Sequence, residues 1–85
     1  MNISLAPVDS SQIAAVGHDS PSETLAIQFR GKGNHPGAIY HYNPVPLGMY
    51  EDLIGAESIG KFFGMHIKGK PGISYRKIET EKEEA

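Results

Sequence analysis

Gly37-Ala38-Ile39-Tyr40-His41-Tyr42-Asn43-Pro44-Val45-Pro46 is the stretch on which the reading of this chain turns. Ala38 to Asn43 alternates like a strand, and a period of two places the Tyr40 and Tyr42 rings on one face of a sheet. Pro44 and Pro46 end the strand, because proline donates no ladder hydrogen bond, and Pro46 suits the first position of a helix. Upstream the chain reads as strand and downstream mostly as helix.

Working outward toward the N-terminus, Gly31 to Gly37 is rich in residues that permit turns, so it reads as a mobile surface loop. Thr24 to Arg30 sets Leu25, Ile27 and Phe29 on one face and Thr24, Ala26, Gln28 and Arg30 on the other. That is the pattern of a half-buried antiparallel strand. Asp19 to Glu23 supplies turn chemistry, with Pro21 fixing φ and Asp19 and Ser20 able to bond nearby backbone. Gln12 to His18 reads as a first strand, with Ile13 and Ala15 on one side and Ala14, Val16 and His18 on the other. Residues 1–11 show no sustained period and read as a flexible arm.

Toward the C-terminus, Met49, Tyr50, Leu53 and Ile54 recur at helical spacing, and Gly55 marks the end of that helix. Ser58 suits the N-cap of a second helix, because Ile59, Phe62, Phe63, His66 and Ile67 fall on one stripe while Lys61 and Lys68 fall outside it. Gly69 reads as a left-handed cap. Ile73 to Ile78 is expected to add a short strand. Residues 79–85 read as a charged, disordered tail. The fold expected is α+β: a three-stranded antiparallel meander, with a short fourth strand allowed, carrying two helices on one face.

The 85 residues, 39% of them hydrophobic, suffice for one small domain, here residues 12–78. No cysteine is present, which excludes a disulfide framework and a thiolate zinc site and makes a reducing cytoplasm the expected compartment. No apolar run is long enough to span a bilayer, and the first residues lack the blocks of a signal peptide. The net charge of −2 conceals segregation: residues 1–57 carry −4, residues 58–78 carry +5 and residues 79–85 carry −3.

Tyr40-His41-Tyr42, Val45-Pro46 and the run Ser58, Gly60, Lys61, Phe63, His66, Ile67, preceded by Ser11-Gln12-Ile13 and Leu25 to Phe29, together resemble the KTSC domain, named after the C-terminal extension of some lysyl-tRNA synthetases. The resemblance covers roughly residues 10–70. It implies a synthetase appendage or a small stand-alone bacterial or phage protein, with RNA binding proposed and no catalytic residues. The loop from Gly31 to Gly37 and the acidic tail depart from the family pattern.

The residues themselves offer two binding features. Tyr40 and Tyr42 could stack nucleobases, yet their strand face is wholly apolar or aromatic while His41 and Asn43 occupy the other, so burial under the helices is the stronger reading. Lys61, Lys68, Lys70, Arg76 and Lys77 form an acid-free basic group that could contact phosphates, against the plainer reading of a solvated face. Gly55 to Lys61 matches P-loop spacing, but Phe62 stands where a hydroxyl must meet magnesium and a helix precedes it, so no nucleotide site is read there. His18, His35, His41 and His66 lack the spacing of a metal site, and no serine has a recognisable base. The expectation is therefore a non-enzymatic module without cofactor or metal. It would bind RNA or other single-stranded nucleic acid through the basic second helix and following turn, or else a partner protein through an exposed sheet edge or the tail.

Overall fold

The computed structural model describes residues 3–31 and 36–78. Its elements run β1 (Ala6–Pro7), β2 (Ile13–Asp19), β3 (Thr24–Arg30), β4 (Pro36–Asn43), α1 (Leu47–Ile54), α2 (Ile59–His66) and β5 (Ser74–Ile78). The strands form one antiparallel sheet in the order β1-β2-β3-β4-β5. The helix pair leaves β4, crosses one face of the sheet and returns the chain to the free edge of β4 as β5.

The α+β reading holds, with five strands in place of three or four. The additional strand is Ala6–Pro7, within the segment read as an arm, and it pairs with Val16 and Ala15. Two residues carry no periodicity, so pairing of this kind leaves no mark in a sequence. The tail and most of the glycine-rich loop fall outside the described residues.

β2 and β3 are joined by a turn in which Ser22 N–H donates to Asp19 Oδ2 at 3.2 Å and Ser22 Oγ donates to the same oxygen at 2.5 Å. Glu23 closes it in the left-handed region, at φ 52°. The β2–β3 register slips between Ile13 and Ala15, leaving Ala14 as a bulge. The extra residue flips the alternation, so Ile13 opposes Phe29 and shares a face with Val16, which opposes Ile27. The alternation read for β2 from sequence, with Ile13 and Val16 on opposite sides, is thereby corrected.

Pro46 is the N-cap of α1 and not its first residue, so the helix begins one position later than expected, and the Pro46 carbonyl accepts from Met49 N–H at 3.0 Å and Tyr50 N–H at 3.2 Å. The α2 cap is as read: Ser58 Oγ accepts from Lys61 N–H at 3.3 Å. Gly69 follows that helix with φ 74°, the left-handed conformation that favours glycine. Beneath the helices lies one core of Ile13, Val16, Leu25, Ile27, Tyr42, Val45, Leu53, Ile59, Phe63 and Ile67. Its driving force is burial of aliphatic and aromatic side chains, about 1.5–3 kcal/mol for each large one fully covered. His66, placed on the apolar stripe by periodicity, is exposed at the last turn of α2 with its ring 4.5 Å from that of Phe62.

The second sheet face is partly covered as well. A Cβ at Gly17 would collide with the Ser4 carbonyl, so glycine there lets the segment before β1 lie directly on β2.

Candidate functional site

The helices close the sheet over β2 and β3 but stop short over β4 and β5. Phe63, 4% exposed, is the last core side chain of α2 toward that edge. Its ring meets Tyr42 edge-on at 5.1 Å and Phe29 at 5.6 Å. Beyond Phe63 the face opens into a groove of 490 Å³, within the size range of small-ligand sites, lined by Phe29, Tyr40, Tyr42, Phe63, Lys68, Gly69 and Tyr75.

The register of β4 and β5 assembles this groove. Tyr42 opposes Tyr75 and Tyr40 opposes Lys77, so all four side chains share the helix-bearing face. The Tyr42 and Tyr75 rings are stacked, 5.7 Å apart with an interplanar angle of 29°. Tyr40 lies 5.9 Å from Tyr75 and 6.3 Å from Tyr42. The three differ in access: Tyr42 is 6% exposed, Tyr40 is half-buried and Tyr75 is 66% exposed. Tyr42 is thus the floor, and Tyr40 and Tyr75 offer ring surface. Burial, and then the neighbouring Tyr40 and Tyr75, push the Tyr42 pKa up to about 12, so its hydroxyl remains protonated at neutral pH.

The basic residues do not form one patch. Lys68 lines the groove and Lys77, opposite Tyr40, shares its sheet face, while Lys70 is exposed in the turn after α2. Lys61 lines a separate depression at the start of α2 that also holds Asp9 and Glu57, acids that offset its charge. Arg76 points to the opposite sheet face, where it opposes His41. Neighbours in a strand face opposite ways, so Arg76 and Lys77 cannot act on one surface. Of the expected basic group of Lys61, Lys68, Lys70, Arg76 and Lys77, the structure brings Lys68 and Lys77 to the face of the aromatic groove and places Lys61 and Arg76 elsewhere.

Tyr75, Phe29 and Phe63 complete the groove and were absent from the sequence reading of the site. The alternation Tyr75-Arg76-Lys77 was available to set Tyr75 with Lys77, but their pairing with Tyr42 and Tyr40 is a long-range fact. His41, 9% exposed, has its pKa lowered by burial and then by the positive charge of Arg76. Among the described residues no group of three or more His, Cys, Asp or Glu side chains could hold a metal ion, and no helix is long and apolar enough to cross a membrane.

The family model of the KTSC domain matches residues 9–70. The chain belongs to the KTSC family. A protein of Tsukamurella paurometabola is 42% identical over 62 residues, covering 73% of this chain and 85% of that one. A lysine–tRNA ligase of Trichormus variabilis is 36% identical over 62 residues, which cover 73% of this chain but 10% of the ligase. The crystal structure of a KTSC domain protein from Yersinia pestis superposes with a TM-score of 0.78 at 37% identity, covering 92% of this chain and 100% of that one. The KTSC match ends at Lys70, so Tyr75 and Lys77 lie beyond it.

Proposed function

We propose that this KTSC protein is a non-enzymatic module that binds single-stranded RNA in the aromatic groove. The observation that carries the reading is Tyr75, an exposed ring stacked on Tyr42 and flanked by Tyr40, with Lys68 and Lys77 beside it. Bases splayed from a single strand stack on such rings, each contact contributing about 1–3 kcal/mol, while lysines meet the phosphates. Duplex RNA would not enter, because its bases are already stacked on one another. The similarity to a segment of lysine–tRNA ligases, enzymes that act on an RNA, agrees with this ligand class.

A second reading rests on β5 itself. It is an edge strand with Ser74 to Lys77 exposed, and an extended peptide could add to it by β-augmentation. Salt separates the two. Phosphate contacts release counterions, so RNA affinity must fall as salt rises, whereas backbone pairing along an edge depends little on it. The test is a fluorescence-anisotropy titration of a labelled single-stranded oligoribonucleotide at low and physiological salt. Saturable binding that weakens with salt is expected. Absence of binding at low salt would reject the RNA reading and favour the edge.

A further inference from the structure

The helix-free face of the sheet holds a second cavity, of 340 Å³, lined by Ser22, Thr24, His41, Asn43, Ser74, Tyr75 and Arg76. It forms where β3, β4 and β5 present alternate residues: His41 opposes Arg76 and Asn43 opposes Ser74. One wall is internally satisfied. Asn43 Nδ2 donates to the Ser22 carbonyl at 2.8 Å and to Thr24 Oγ1 at 3.3 Å, and Ser22 Oγ lies 2.9 Å from Thr24 Oγ1. That network holds the wall rigid without occupying the opposite side.

The opposite side is His41 and Arg76. His41 is 9% exposed and lines the cavity. Arg76, paired across the strands with His41 and lining the same cavity, brings a fork of N–H donors and a fixed positive charge. Asp19, on the same face opposite Thr24, has its carboxylate engaged by Ser22 N–H and Oγ within the β2–β3 turn. A cavity with a guanidinium, an imidazole and the Ser74 hydroxyl fits a tetrahedral oxyanion, whose several acceptors can take these donors together.

We infer that this cavity is a phosphate site, taking a phosphate dianion or the terminal phosphate of a monoester between Arg76 and His41. It stands apart from the aromatic groove, on the other side of β5, and does not depend on the RNA reading.

The test is heteronuclear NMR of the His41 ring signals on the whole chain at fixed pH and ionic strength, titrating inorganic phosphate, adenosine monophosphate and adenosine in parallel. Saturable movement with phosphate or the monophosphate and none with adenosine is expected; the first arm reports free phosphate and the second a monoester. Arg76→Gln, an exposed substitution that leaves the fold intact, should weaken that binding about tenfold or more, since a charged hydrogen-bond donor is lost. His41→Gln, read through the Thr24 and Asn43 amide signals, should weaken it as well. Equal response to adenosine, no saturable response to either phosphate probe in the tens of millimolar range, or undiminished binding by folded Arg76→Gln would overturn the inference.

Discussion

One face of one sheet has two unlike halves. Over β2 and β3 it is aliphatic and shut: Ile13, Leu25 and Ile27 are fully buried and Val16 is 1% exposed. Over β4 and β5 it is aromatic and open, with Tyr40 half-buried and Tyr75 66% exposed. The difference follows from side-chain chemistry and helix length. Two helices of eight residues each cannot roof five strands, and they settle where branched aliphatics gain most from losing water. Tyrosine tolerates the margin because its hydroxyl can stay hydrated while its ring packs. The shut half holds the fold, and the open half is left to bind.

Phe63 is the hinge of this comparison, because its ring belongs to the core and to the groove wall. Phe63→Ala should cost about 3–5 kcal/mol, a large share of the stability of so small a domain, and should abolish RNA binding with it. Urea denaturation monitored by circular dichroism measures this. A loss below about 1 kcal/mol would mean that the two halves are not joined through this ring.

Tyr75→Ala sharpens the contrast from the open side. The variant should stay within about 1 kcal/mol of the parent in stability, as exposed substitutions usually do, yet lose about 1–3 kcal/mol of RNA binding. Equal losses in both measurements would assign Tyr75 to the core. Lys68→Gln with Lys77→Gln should leave the melting curve unchanged and lower the slope of log affinity against log salt by about 1.4, since each single-strand phosphate contact contributes about 0.7. The same exchange at Lys61 should leave the slope unaltered, because Lys61 lies with Asp9 and Glu57 in another depression.

The smallest effect concerns pH. The Tyr42 pKa rises from 10.0 to about 12 on folding, so the folded state favours the protonated phenol. That contribution is whole below pH 10.0 and is lost as the pH climbs toward about 12, where the folded protein also ionises. Thermal melts across this range should show an alkaline loss of stability that is reduced in Tyr42→Phe. An identical alkaline profile in both proteins would place the Tyr42 hydroxyl in water.

Much of this architecture was legible. Thr24 to Arg30 alternates without interruption and is β3 residue for residue, and Ser58 before an apolar stripe announced the α2 cap it makes. The failures are equally physical. The Ala14 bulge hid the shared face of Ile13 and Val16, because alternation assumes an unbroken ladder. β1 is two residues long, below the reach of any pattern. For the site, burial logic correctly turned Tyr40 and Tyr42 toward the helices but could not say how far the helices extend. The basic run looked continuous in sequence, whereas β5 divides Arg76 from Lys77 between the two faces.

The central claim, that the open aromatic half is the binding surface, is met most directly by chemical-shift mapping of the protein with a single-stranded oligoribonucleotide at low salt. The account predicts shifts that concentrate at Tyr40, Lys68, Tyr75 and Lys77 while the signals of Val16, Leu25 and Ile27 stay in place. Shifts centred on Lys61 and the start of α2, with the groove tyrosines unmoved, would contradict it.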